Sequence, residues 1–152
     1  MRLPVYVDNH YGKDGPDTLC LLAADDVERL WQWVDPSKST YLPPGSVRAP
    51  RCFVFGETAE GFFFKAGRTR MNVDPRRYLY FHEGQHRTRW LLDAGLPMIP
   101  LGINPLGLAV LDHLGVDYQC ARPGVVLDLP VTLADILALY DAAEQRDLLL
   151  HH

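Results

Sequence analysis

Residues 81 to 95 read FHEGQHRTRWLLDAG and crowd histidine, carboxylate and guanidinium groups together. Two chemistries fit these letters. His82, Glu83 and His86 match H-E-x-x-H, a zinc-hydrolase pattern. On one helix the two histidines would share a face, and Glu83 would activate a metal-bound water. The same stretch also fits a phosphate site. In that reading a strand ends near His82, Gly84 makes the turn, and a helix starts at about Gln85. The first N–H groups of a helix have no internal partner and carry the positive end of its dipole. An anion fits there, held by the turn at Gly84 and the N–H groups of Gln85 and His86. His86, Arg87 and Arg89 would add side-chain donors. Glu83, at the strand end, could bind Mg²⁺ or act as a base.

Three features favour phosphate over zinc. Tyr78-Leu79-Tyr80-Phe81 is aromatic and β-prone, so the chain should enter His82 as a strand. Gly84 would cost a helix interior about 1 kcal/mol relative to Ala. Arg87 would place a permanent cation beside the metal. Candidates for a third zinc ligand, Asp112, His113, Asp117 and Glu144, qualify by residue type alone. A plain strand–turn–helix with solvated charges is the reading without function.

Other groups could assist. Arg68 and Arg70 alternate, so an extended chain puts both on one face. With Arg87 and Arg89 they could form an anion cleft, or they could be a solvated basic turn. Arg76 and Arg77 read as surface charges. Tyr41 to Gly45 is a lid or, more simply, a rigid connector. The aromatics Phe62, Phe63, Phe64, Tyr78, Tyr80 and Phe81 could stack bases, although alternation assigns at least half of them to the core. Trp31 and Trp33 lie two apart on a helix, so one of them is expected to face outward as a partner surface.

The elements that must position these groups are mixed α and β. Strands are expected at Leu3 to Val7, Leu19 to Ala23, Cys52 to Phe55 and Tyr78 to Phe81, and Gly61 to Lys65 is a further apolar, aromatic stretch. A turn is expected at Glu57 to Gly61. Asp25 to Val34 is an amphipathic helix with acids in its first turn. Residues 35 to 51, rich in Pro, Ser and Gly, form a long loop. The helix from about Gln85 to Ala94 is closed by Gly95. Pro97 and Pro100 make Leu96 to Ile103 an edge or short strand. A short helix is expected within Asn104 to Gly115, and a short strand at Val125 to Leu127. Thr132 is an N-cap candidate for a closing helix that runs to Leu149.

The chain has 152 residues, 47% of them hydrophobic and 22% charged, which suits one soluble domain of ordinary composition. Its net charge of -4 gives no global basic footprint for nucleic acid, so an anion site must be local. Among the 15 Lys+Arg only Lys13, Lys38 and Lys65 are lysines, and arginine is the better bidentate phosphate ligand. Cys20, Cys52 and Cys120 are far apart and odd in number, which reads as reduced thiols in a cytoplasmic protein. No signal-peptide pattern and no apolar run of about 20 residues is seen, so membrane insertion is not expected. His151-His152 are either native or a tag remnant.

A strand, then Glu83-Gly84-Gln85-His86-Arg87, then a helix with Trp90-Leu91-Leu92 and Ala94-Gly95, then Ile99-Pro100-Leu101, resembles the ParB/sulfiredoxin-like superfamily. The aromatic strand followed by His86-Arg87-Thr88-Arg89-Trp90 is most similar to the plasmid fertility-inhibition proteins, single-domain relatives that block conjugative DNA transfer. The resemblance implies an α/β (α+β) single domain with a small mixed sheet and flanking helices. Its core would span about 19–103, with a C-terminal helical extension over about 104–150. It implies a nucleotide- or nucleic-acid-phosphate-binding protein acting in the inhibition of plasmid or phage DNA transfer, with Mg-dependent NTPase or nuclease activity as its catalytic form. Glu83, His86 and Arg87 would be catalytic. Gly84, Gln85, His86, Arg87, Arg89, Arg70 and Arg68 would bind phosphate, and Glu83 would hold Mg²⁺. The nucleotide would be ATP or CTP. Glu57 or Glu60 could serve as the helper carboxylate of kinase-like relatives.

The chain departs from that pattern in three places. Gln85 stands where sulfiredoxins carry their reactive Cys, so sulfiredoxin chemistry is not available. No basic recognition helix follows Leu101, which argues against sequence-specific DNA reading. Glu83 replaces the commoner Asp and keeps the carboxylate. Three other functions remain open: a non-catalytic protein that blocks a conjugation or secretion component through Trp31, Trp33 and the Pro43-Pro44 loop, a small-molecule kinase, and the zinc hydrolase.

Overall fold

The computed structural model describes residues 1–8, 16–32, 40–47, 55–58, 61–72, 78–138 and 140–151, and these described residues build two mixed sheets and five helices. In chain order the elements are β1 (Arg2–Tyr6), β2 (Thr18–Ala23), α1 (Ala24–Gln32), β3 (Phe55–Thr58), β4 (Gly61–Lys65), β5 (Gly67–Asn72) and β6 (Tyr78–Glu83). They continue with α2 (Gln85–Asp93), β7 (Met98–Ile103), α3 (Pro105–Leu114), β8 (Tyr118–Cys120), β9 (Val125–Asp128), α4 (Leu133–Leu137) and α5 (Ala142–His151). One sheet runs β3-β4-β1-β9 and the other β6-β5-β7-β2-β8.

The chain crosses between the sheets at Ala66, a buried residue whose N–H donates to Tyr6 O at 2.8 Å. It crosses back after β8, where Ala121 N–H donates to Leu19 O and Gly124 N–H to Val5 O. Strand alternation supplies both inner faces: Leu3 and Val5 from β1, Phe62 and Phe64 from β4, Leu79 and Phe81 from β6. With Leu22, Val27, Leu30, Trp31, Ile99, Leu101, Ile103 and Leu111 they join one contiguous apolar cluster.

Several sequence expectations change. The extension after residue 103 is not simply helical: β8 widens one sheet and β9 pairs with β1 along Arg2 to Val5. β1, which precedes the expected 19–103 core, adds Leu3 and Val5 to the apolar cluster, and two sheets stand in place of the single small one. Leu96 to Ile103 is no edge. β7 lies between β2 and β5, and Pro100 is tolerated because the ladder to β5 begins only at Leu101. Residues 52–54 of the strand expected at Cys52 to Phe55 lie outside the described residues. Phe55 to Thr58 is a strand, and Thr58 pairs directly with Gly61, so the expected turn over Glu57 to Gly61 shortens to a tight hairpin. The closing helix is two helices. Thr132 caps α4 through a reciprocal box with Asp135, and Asp141 makes the same exchange with Glu144 to start α5.

Candidate functional site

β6 delivers the quoted motif, and its last residues leave the regular ladder. Arg68 pairs with Glu83 and Thr69 with Phe81, so His82 is an extra residue in a β-bulge. Bulges twist a strand and re-aim its side chains. His82 is exposed here, while Glu83 turns partly inward and its buried Oε1 has no hydrogen-bond partner among the described residues.

Gly84 then takes a left-handed conformation, φ 85° and ψ 17°, and α2 begins at Gln85. Two close approaches demand glycine. A Cβ at Gly84 would lie 2.6 Å from Gly67 Cα and 2.7 Å from Arg87 Nη2. One at Gly67 would meet Phe81 Cε1 and Thr88 Oγ1, each at 2.9 Å. The first strand residue of β5 therefore packs backbone to backbone under the turn. No side chain caps α2. Its first N–H groups, those of Gln85, His86 and Arg87, precede the first intrahelical bond, Thr88 N–H to Gly84 O at 3.1 Å.

This geometry rules out one helix through H-E-x-x-H. His82 is on a strand and His86 is on α2, with a left-handed turn between them. The i, i+4 face that zinc chemistry needs does not form, because the β-prone aromatics hold His82 in the sheet. Among the described residues no three His, Cys, Asp or Glu side chains group to hold a metal ion.

The four arginines divide. Arg87 is 5% exposed, and its Nε donates to Lys65 O at 2.8 Å. No described residue accepts from its two terminal nitrogens, and the Nη2 end lies against Gly84. Burial lowers the Arg87 pKa, and the charges of Glu83 and Asp8 oppose that shift. Lys65 Nζ in turn pairs with Asp8 Oδ2 at 2.6 Å. Arg89 points elsewhere. Its Nε bonds Asp93 Oδ1 at 3.0 Å and its Nη1 meets Leu42 O at 3.0 Å and Glu28 Oε2 at 2.8 Å, with the guanidinium over the Trp31 ring.

Arg68 and Arg70 do share a face, as their spacing predicts, but that face is inward. Arg68 Nε bonds Asp17 Oδ2 at 3.1 Å and Arg70 Nη1 bonds Asp17 Oδ1 at 3.0 Å, with Asp17 fully buried. The cleft expected from four arginines is therefore not assembled, because three of them are committed to carboxylates. A solvated basic turn is equally excluded. Asp17, Glu28 and Asp93 are the partners that sequence reasoning missed. Arg89 and Asp93 are four apart on a helix, a signal that could have found one of them.

The loop described at 40–47 straps this side of the molecule. Thr40 Oγ1 accepts from Trp31 Nε1 and from Phe81 N–H, Tyr41 OH donates to Glu28 at 2.7 Å, and Gly45 N–H donates to Asp93. Hydrogen bonds from Tyr41 and Gln32, with the charge of Arg89, outweigh burial and lower the Glu28 pKa. Trp31 is 0% exposed and packs edge-on against Tyr41 and Phe81, so it is core and not partner surface. Trp33 and Glu60 lie outside the described residues, as do the side chains of Glu57 and Tyr78. The residues brought together at the α2 start are thus Glu83, Gly84, Gln85, His86 and Arg87. No helix among the described residues is long and apolar enough to cross a membrane. Comparison of the chain with protein-family models, curated proteins and solved structures finds no match.

Proposed function

We propose that the Gly84 turn binds a phosphate group of a nucleotide or a nucleic acid. The observation that carries this reading is the uncapped start of α2 behind a left-handed glycine, with the open end of the Arg87 guanidinium against the same turn. Preorganised N–H donors and a buried cation favour an anion at that point. Glu83 fits a supporting role for Mg²⁺: its orphaned carboxylate oxygen is a hard ligand, and Mg²⁺ is commonly held by one or two carboxylates plus phosphate oxygens and water. His86 is exposed at the second position of α2, and in this reading it would exchange a proton with a phosphate-bound group.

The resemblance of the Glu83 to Arg87 turn to the ParB/sulfiredoxin-like superfamily supports this assignment, and extends it to ATP or CTP and to inhibition of plasmid or phage DNA transfer. Arg68, Arg70 and Arg89 hold the scaffold in this reading and take no phosphate.

The test is thermal shift of the whole chain with ATP, CTP or GTP and Mg²⁺, for wild type, Arg87→Ala and Arg87→Lys. A ligand that binds only the folded state raises the melting temperature by mass action. A nucleotide-dependent rise in wild type that is lost in Arg87→Ala and weakened in Arg87→Lys supports the assignment. An undiminished rise in both variants, or no rise with any nucleotide or with single-stranded DNA, overturns it. The latter result favours the non-catalytic blocking protein.

A further inference from the structure

Two of the three cysteines, 100 positions apart in sequence, meet across a strand pair. Cys20 lies in β2 and Cys120 in β8, and they are directly opposed in the antiparallel ladder. Opposed residues project from the same face of a sheet. Their Cα atoms stand about 4.5–5.5 Å apart in such pairs, inside the range of about 4.4–6.8 Å that a disulfide spans. The two side chains are close enough for Cys120 to raise the Cys20 pKa. Both are free, with Cys20 buried in the core and Cys120 exposed on a strand whose only ladder partner among the described strands is β2. Neither belongs to the phosphate turn.

We infer that Cys20 and Cys120 form a reversible disulfide when the protein meets a peroxide, with Cys120 as the oxidant-facing thiol and Cys20 as the resolving one. Exposure assigns the first role, since of these two thiols Cys120 is the exposed one. Burial first, and then the charge and hydrogen bond of Cys120, push the Cys20 thiol up to about 12, which keeps it protonated and inert until its neighbour is activated.

The chemistry balances. The Cys120 thiolate attacks one peroxide oxygen, the O–O bond breaks, and the departing hydroxide takes a proton and leaves as water, giving a sulfenic acid. The Cys20 sulfur then attacks the Cys120 sulfur. The S–S bond forms, the S–OH bond breaks, and hydroxide leaves with the Cys20 proton as a second water. Two thiols have lost two electrons to one peroxide. A dithiol reductant reverses the link by exchange. The closed bond fastens β8, and the crossing that leads from it to β9, onto the inner strand β2.

The experiment uses the full chain with stoichiometric hydrogen peroxide, followed by unreduced peptide mapping by mass spectrometry. Wild type, Cys52→Ser, Cys120→Ser and Cys20→Ser are compared, because Cys52 lies outside the described residues. A Cys20–Cys120 linked peptide is expected in wild type and in Cys52→Ser, absent from Cys120→Ser, and reversed by dithiothreitol. Oxidised wild type should melt above the reduced form, and Cys20→Ser should leave a dimedone-reactive sulfenic acid at Cys120. A dominant link through Cys52, an intermolecular dimer through Cys120, or overoxidation of Cys120 without a link would each overturn the inference. Wild type and Cys52→Ser decide the matter even where the Cys20 variant folds poorly.

Discussion

Asp17→Asn is the most informative single change, because it separates arginines that build the fold from arginines that bind a ligand. The Asp17 carboxylate accepts from Arg68 Nε at 3.1 Å and from Arg70 Nη1 at 3.0 and 3.3 Å. The Asp17 side chain is fully buried and the two arginine side chains are nearly so. Gly102 keeps the space open, since a Cβ there would lie 3.1 Å from Asp17 Oδ2. Asparagine preserves the shape and removes the charge. It also places an amide N–H₂ where a guanidinium now donates. Removing one partner of a buried ion pair costs about 3–5 kcal/mol. For a domain of this size each kcal/mol shifts the melting temperature by roughly 2–4 °C, so a fall of about 6–20 °C is expected. Urea unfolding followed by tryptophan fluorescence should show a lower midpoint at an unchanged slope. A variant that melts within about 1 °C of wild type would show that Arg68 and Arg70 do not depend on Asp17. They would then return as candidate phosphate ligands.

Other perturbations give independent checks. Gly84→Ala forces a side chain into the left-handed region, at about 1–3 kcal/mol, and onto Gly67 Cα at 2.6 Å. Chemical denaturation should therefore show a loss at the upper end of that range or beyond. Asn104→Ala removes the buried side-chain oxygen that accepts from Gly107 N–H at 2.9 Å and caps α3. It should cost about 0.5–2 kcal/mol, with the faster amide exchange confined to the first turn of α3. In alkali, Cys20 is raised from 9.0 to about 12, and Tyr41 and Tyr118 are raised above 10.0. Each raised pKa favours the protonated group in the folded state, so that stability is intact below pH 9.0 and is lost as the pH climbs toward about 12. Melting of reduced protein across that window should fall, and Cys20→Ala should flatten the decline.

The readable parts of the fold were those with local causes. The alternation of β4 and β6, the acidic start of α1, Gly95 behind α2 and Thr132 before α4 all act within a few residues. The turn at Gly84 was readable for the same reason: β-prone aromatics run into a glycine that a helix interior disfavours. Side-chain fate was not readable, because it depends on pairings distant in sequence. Arg68 and Arg70 look like surface cations until β5 is placed inside the sheet next to β7, where both pair with one buried carboxylate 51 and 53 positions away. β8 is only three residues long and needs β2 to exist, so Tyr118 to Cys120 carried no signal. Pro100 suggests an edge or a short strand; Met98 to Pro100 do lack a β5 partner, but Leu101 to Ile103 run between β2 and β5.

The charges around the turn bear on which form of phosphate it would take. Among the described residues Arg87 and Lys65 supply two positive charges, and Glu83 and Asp8 two negative ones, so the local sum is zero. A neutral surround gains little from a bare polyphosphate, whereas a Mg²⁺–phosphate unit brings a cation for Glu83 and an anion for Arg87 and the α2 N–H groups. On the phosphate reading, nucleotide binding should therefore depend on Mg²⁺. Glu83→Gln tips the sum to one positive charge and removes the carboxylate that would hold the metal. Metal-free nucleotide should then bind about tenfold more tightly, since a unit charge a few Å away is worth on the order of 1–4 kcal/mol before screening. The gain should shrink with added salt. Calorimetric titration with and without Mg²⁺ resolves the two effects. If Glu83→Gln leaves both affinities unchanged while Arg87→Ala abolishes them, the anion half of the site stands and Glu83 has no part in it.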